Sequence, residues 1–255
     1  MTQSIVDAAA LSAALAGPGR LWTAISRVPS TGSTNADLAA AARSGAPSGS
    51  VLVAEHQSAG RGRFARRWEA PPGTSVAISL LLRPDAVAAE RWLWLPLITG
   101  VAVAEALGTL GVRAEVKWPN DVLVEGRKLC GILSERVGDA AVIGIGINTS
   151  LDAAQLPVPT ATSLRLEGCE ASATQVVAEV LAAFEPGYRR WASSADLTRW
   201  YGERCATVGR DVRVLESETS AVQGNAIGVD GFGRLRVRTP TGERTFAAGD
   251  VMHLR

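Results

Sequence analysis

Four arginines, Arg61, Arg63, Arg66 and Arg67, fall within seven residues of the segment EHQSAGRGRFARRWEAPPGTS, beside Gly60 and Gly62 and with no acid among them until Glu69. Guanidinium forks grip phosphate oxygens through paired hydrogen bonds, and glycines let the backbone bend around an anion. By itself the segment has three readings: a flexible phosphate-holding loop, a solvated basic loop, or a nucleic-acid patch. Gly60-x-Gly62-x-x-Ala65 imitates a dinucleotide fingerprint, with Asp85 at a suitable distance. That fingerprint needs a helix N-terminus next, and Trp68-Glu69-Ala70-Pro71-Pro72 is a poor first turn. There is no P-loop either.

Of the 26 basic residues, 24 are arginine and only Lys117 and Lys128 are lysine. Codon bias accounts for the arginine excess. It also makes the two lysines informative, since both sit in VKWPNDVLVEGRKLCG, where a compact ammonium is needed if a planar fork will not serve. Lys117, at a strand end broken by Pro119, is the first candidate for chemistry. Lys128 belongs either to the site or to an ordinary hairpin turn at Gly126-Arg127-Lys128. Ser33, Thr34 and Asn35 in GSTN either cap a helix or hold a polar ligand head. Gly144 and Gly146 in GIGIN let either a ligand or a helix lie against a strand. Trp118 is read as core.

These residues need elements to hold them. Residues 32–45 read as a helix capped by Ser33 or Thr34 and ended by Gly45. Residues 50–57 form a strand leading into the arginine segment, and 74–84 form a second, buried strand. Residues 91–111 have helical length. Strands follow in 114–121, 122–137 with a turn at Glu125-Gly126, and 140–150, then a proline-rich loop over 149–164. The pattern Ser172-x-x-Gln175 opens a helix running to about Pro186, and a short helix lies in 195–205. From 207 onward the chain alternates in short strands, with a tight hairpin at Asp230-Gly231 and another turn at Pro240-Thr241-Gly242. The expected organisation is a catalytic domain over 1–206 and a small β-barrel over 207–255, too small to stand easily alone. The fold class is α/β (α+β).

With 255 residues, 47% of them hydrophobic, and a net charge of +1, the chain has a sizeable core and no global basic character. No apolar run reaches the ~18 residues of a membrane span. The N-terminus lacks a secretory signal and reads as a short helix ended by Gly17-Pro18-Gly19. Three scattered cysteines and two histidines make neither a disulfide framework nor a metal centre. The expectation is a cytoplasmic protein with no membrane partner.

The ordered set GSTN, EHQSAGRGR..RRW, PPGTSVAISLLLRP, KWPNDVLVEGRKLCGIL and VIGIGIN resembles the biotin–protein ligases, strongly over residues 30–150 and more weakly in the C-terminal barrel. The resemblance implies a mixed sheet with helices, related to class II aminoacyl-tRNA synthetases, followed by an SH3-like barrel. It implies attack of the biotin carboxylate on the α-phosphate of ATP, giving biotinyl-5′-AMP, then transfer to a lysine on the carrier domain of a biotin-dependent carboxylase. Mg²⁺ is expected with the ATP phosphates and no protein metal ligands are assigned. Lys117 and Arg63 become the catalytic residues. The biotin side comprises Ser33, Thr34, Asn35, Gln57, Gly60, Arg61, Gly62, Arg63, Lys117, Gly144 and Gly146. The nucleotide side comprises Arg61, Arg63, Trp68, Lys117, Asn120, Lys128 and Asn148.

Ala65 stands where many relatives carry glycine. About 30 residues precede GSTN, too few for the DNA-binding domain of some relatives, so no DNA partner is expected. A lipoate or octanoyl ligase of the same fold would show an RRxxGGG motif where this chain has GRGRFARRW. A nucleic-acid-binding module conflicts with the balanced charge and the lack of interleaved aromatics. A carrier-docking protein without catalysis conflicts with Lys117 being kept in a lysine-poor chain. Segments 60–68 and 150–162 are expected to be mobile until ligand binds.

Overall fold

One inner strand shows why the sheet forms. In SVAISLLL every residue after Ser75 is buried, so both faces of this strand must be covered. The computed structural model describes residues 6–216 and 219–254, so residues 1–5 of the expected opening helix lie outside the described part. Helix α1 (Ala8–Leu15) leads into β1 (Ala24–Val28), α2 (Thr34–Arg43) and β2 (Ser50–Ala54). A two-stranded hairpin follows, β3 (Gly60–Arg61) and β4 (Arg67–Trp68), then β5 (Ser75–Leu82) and α3 (Trp94–Thr109). Next come β6 (Glu115–Lys117), β7 (Asp121–Val124), β8 (Arg127–Val137), β9 (Ala140–Asn148), α4 (Ala173–Ala192) and α5 (Thr198–Gly202).

Seven strands pair in the order β1-β2-β5-β9-β8-β7-β6. Only β1 and β2 run parallel, so the sheet is mixed. One face packs on α3 and α4 in the main core, while Leu38, Ala39 and Ala42 of α2 meet Leu52, Leu81 and Val142 on the other. The helical stretch Ala89–Thr109 is long and apolar enough to cross a membrane, but most of it is buried inside the domain, as in a core helix.

Two expectations about ends need correction. Helix α4 keeps its Ser172/Gln175 capping box but continues through Pro186 to Ala192. Buried Tyr188 and Trp191 lie beyond the proline, and Tyr188 stacks on Phe184 with ring centroids 5.8 Å apart. That packing outweighs the lost backbone bond. The turn at Asp230 is also wider than a two-residue hairpin. Asp230 Oδ1 accepts from the backbone N–H of Phe232 at 2.9 Å and of Arg234 at 3.0 Å. The turn at Glu125-Gly126 is a two-residue hairpin, with φ of 49° and 78°.

Strands β10 (Asp211–Leu215), β11 (Ala221–Val229), β12 (Leu235–Thr239), β13 (Gly242–Phe246) and β14 (Asp250–His253) pair antiparallel in the order β13-β12-β11-β10-β14. This is a four-strand meander whose fifth strand returns to the first, as in a small SH3-like barrel. Its inner residues Val212, Val214, Leu235 and Val237 belong to the same continuous core as α3 and the large sheet. Indole N–H bonds fasten the seam: Trp118 Nε1 donates to the Gly233 carbonyl at 3.1 Å and Trp94 Nε1 to the Gly231 carbonyl at 2.9 Å.

Candidate active site

A cavity of about 150 Å³ opens where the N-terminus of α2, the β3–β4 hairpin and the middle of β8 and β9 converge. Its floor lacks side chains for a structural reason. Gly131 pairs with Gly146 across β8 and β9, and Gly146 pairs with Ala77 on β5. A Cβ on Gly146 would lie 2.6 Å from Trp68 Cε2, and one on Gly131 would lie 3.1 Å from Trp68 Cζ3. The indole of Trp68 therefore lies against bare backbone. Its Nε1 is buried without a hydrogen-bond partner, a donor left for something in the cavity.

One end of the cavity is neutral and rich in hydrogen-bonding groups. Ser33 caps α2, accepting from the Ala36 N–H, as the capping reading of GSTN expects, and Ser33, Thr34 and Asn35 also line the cavity. Thr34 donates its backbone N–H and its hydroxyl to Gln57 Oε1 at 2.8 and 2.9 Å. This turns the Gln57 Nε2 the other way. Asn35 has a mainly architectural task. Its Nδ2 donates to the Leu133 carbonyl at 3.2 Å and to Glu135 at 2.8 Å, its Oδ1 accepts from Ser79 at 2.7 Å, and a Cβ on Gly144 would lie 2.5 Å from that oxygen.

The other end is cationic. The β3–β4 hairpin bends through Phe64 and Ala65, both left-handed at φ of 54° and 58°, and no α-helix follows the glycines. Arg61 pairs with Glu135 at 3.0 Å. Arg63 donates to Asn120 Oδ1 at 2.9 Å, and burial pulls its pKa below the usual guanidinium value against nearby Asp250 and Asp121. Arg66 pairs with Asp250, and Arg67 with Glu69 at 3.2 Å. Gly60 does not line the cavity but opens β3 opposite Trp68, where a side chain would strike the Trp68 carbonyl.

Of the two lysines, Lys128 is the one at the cavity. Lys128 lines the cavity, its Nζ 2.6 Å from Asp121 Oδ1 and 3.2 Å from the place a Gly131 Cβ would occupy. Register slips by one residue between β7 and β8, with Val122 opposite Cys130 and Leu123 opposite Lys128. Such a bulge re-aims a side chain, and this one puts Lys128 on the same side as Gly131. Lys117 does not line the cavity. Burial pushes its pKa down, partly offset by Asp121, while Lys128 adds to the lowering. Asn148 is also displaced: it is buried, and its Nδ2 donates to the Thr162 carbonyl at 2.9 Å. The loop that follows Asn148 rejoins the sheet at its far end, where the Thr162 N–H donates to the Lys128 carbonyl at 2.9 Å. Cys130 is fully buried and its thiol is pushed far above its usual value, so it is no nucleophile.

Of the expected residues, the cavity unites Ser33, Thr34, Asn35, Gln57, Arg61, Gly62, Arg63, Trp68, Asn120, Lys128, Gly144 and Gly146. It adds Arg66, Asp121, Gly131 and Asp250, which the sequence reading did not assign. Asp121 could have been found as the acid of KWPND. Asp250 carries no local signal. Among the described residues no three His, Cys, Asp or Glu groups cluster to hold a metal. Two carboxylates stand at the cationic end, and each is paired there, Asp121 with Lys128 and Asp250 with Arg66.

Comparison with known proteins places the chain. Residues 26–152 match the biotin/lipoate A/B protein ligase family, and residues 207–254 match the biotin protein ligase C-terminal domain. The chain is 38% identical to the biotin--[acetyl-CoA-carboxylase] ligase of Mycobacterium tuberculosis, over 98% of this chain and 96% of that one. It is 32% identical to the enzyme of that name from Paracoccus denitrificans, over 87% and 97%. Among solved structures, biotin protein ligase from Aquifex aeolicus in complex with biotin and ATP superposes with a TM-score of 0.79 at 25% identity, covering 92% of this chain and all of that one. A near full-length match to curated ligases and the shared two-part architecture together mean that the chain belongs to the biotin/lipoate protein ligase family.

Proposed function

We propose that this chain is an ATP-dependent biotin--[carboxyl-carrier] ligase. One observation supports this reading above the rest: a single cavity joins a neutral hydrogen-bonding end to an end lined by Arg61, Arg63 and Lys128. Two anions, a carboxylate and a triphosphate, must meet for an acyl-adenylate to form, and that cationic end suits their meeting. Ser33, Thr34 and Gln57 would hold the polar ureido ring. The Gly131–Gly146 floor would take the flat part of a ligand, with Trp68 beside it. A carboxylate oxygen of biotin attacks the α-phosphorus, the bond to the β-phosphate oxygen breaks, and pyrophosphate leaves. Lys128, steadied by Asp121, would neutralise charge between the reacting groups, with Arg63 above. This assigns to Lys128 the role first expected of Lys117. Magnesium, held by the phosphates beside Asp121, would supply further charge neutralisation.

In the second step a carrier lysine amine attacks the acyl carbon, the bond to AMP breaks, and an amide forms with loss of a proton. A wider, more apolar cleft of about 660 Å³ shares Arg63, Asn120, Ile132 and Leu133 with the cavity and offers a route for that lysine. All three cysteines are free thiols, which agrees with a cytoplasmic setting. The test is incubation with ATP, Mg²⁺ and labelled biotin. Adenylate formation and label on one lysine of a carrier domain support the proposal. Absence of both, from folded protein, overturns it.

A further inference from the structure

The barrel contributes a residue to the cavity from the far end of the chain. Asp250 opens β14, paired in register with Leu215 of β10, and its side chain lines the cationic end. The backbone before it has little room: Gly249 sits at φ of 152°, and a Cβ there would lie 2.9 Å from Val214 Cγ1. The seam bonds of Trp118 and Trp94 fix the barrel against the large domain. Asp250 is thus a carboxylate on a rigid mount.

The hairpin opposite is built differently. Its strands have two residues each, its tip contains two left-handed non-glycine residues, and Phe64 at the tip is 61% exposed. It reaches the barrel at two points. Arg66 pairs with the Asp250 carboxylate, and Arg63 donates from both terminal nitrogens to the Gly249 carbonyl at 3.3 Å. Arg61 is meanwhile engaged by Glu135.

Building on the ligase reading, we infer that Asp250 is a positioning residue which holds the arginine hairpin over the cavity through Arg66. It touches no reacting atom. The barrel thereby sets how long an activated acyl-adenylate stays sheltered from water and from stray amines. Arg66 serves as the latch, and Arg63 is shared between latch and phosphate.

The variants Asp250→Asn, Asp250→Glu, Arg66→Gln and the double Asp250→Asn/Arg66→Gln test this. The Arg66 variant leaves the barrel untouched, so an unstable Asp250 variant would not leave the matter open. In the ligand-free protein, hydrogen exchange of residues 60–68 should quicken in either neutral single variant. Adenylate should leave about twofold to fivefold faster, the size expected of a part-exposed ion pair. Biotin affinity should stay constant, the double variant should be no worse than a single, and Asp250→Glu should recover part of the loss. Unchanged exchange in the hairpin, or additive effects of the two variants, would overturn the latch. Slower adenylate release in Asp250→Asn would also overturn it, showing that Asp250 competes with phosphate. If the wild-type protein forms no adenylate, the ligase reading fails, and the exchange measurement still decides the role of Asp250.

Discussion

Lys128 and Lys117 carry the same charge and lie close enough to influence each other, yet only one faces the cavity. Lys128→Gln should therefore lower kcat for adenylate formation by about 10²–10³-fold, the usual loss when a transition-state charge partner is removed. Lys117→Gln should cost far less in kcat and show mainly as altered stability, since its ammonium is half-buried with Asp121 nearby. Equal kinetic losses, measured by pyrophosphate release, would contradict this division. Gly146→Ala makes a second case. Its new methyl would lie 2.6 Å from Trp68 Cε2, so the indole must move. A displacement near 1 Å in a positioned site can lower kcat/KM by up to about 100-fold. The effect should fall on whichever substrate lies over the Gly131–Gly146 floor beside Trp68, read as separate KM values for ATP and biotin.

Elements differ in how plainly the sequence announces them. Helix α2 and its Ser33 cap, the turn at Glu125-Gly126 and the buried run of β5 are local patterns, and the structure has each of them. The bulge that aims Lys128 leaves no mark in LVEGRKLCG, because register is a property of two strands. Alternation alone would put residues 128 and 131 on opposite faces. The same reasoning covers Pro186, a local stop signal that buried Tyr188 and Trp191 override. Gly131 was legible only as one more glycine until its partner Gly146 was known. The two flanking segments should also behave differently. Residues 60–65, held in the free protein through Arg66 and Arg63, should be partly protected and gain further protection when adenylate binds. The Thr162 amide, bonded to the Lys128 carbonyl, should be protected throughout. Hydrogen exchange with and without a stable adenylate analogue measures both, and equal protection of 60–65 in the two states would contradict the closure argument.

In the whole molecule, the barrel and the large domain meet through one continuous core, and titration near that seam should be felt by both. His253 on β14 shares a 3.0 Å contact between its Nε2 and the Thr207 hydroxyl, which in turn accepts the Trp118 backbone N–H at 3.1 Å. Burial, with help from Lys117 and Arg210, lowers the His253 pKa to about 4. The unfolded chain therefore binds a proton between about pH 6.5 and 4 that the folded chain refuses, and stability falls as pH drops through that window. His253→Gln should flatten that part of a plot of Tm against pH and leave the region above pH 7 unchanged. An unaltered slope would show that other groups carry it.

The indole bonds across the seam have an optical consequence. Trp94 and Trp118 are almost fully buried, and each spends its N–H on a barrel carbonyl. If the barrel swings away, both rings meet water and lose those acceptors together. Their emission should then shift to the red before the interior Trp22 and Trp191 of the large domain respond. Intrinsic fluorescence at low denaturant therefore reports barrel undocking without any added label.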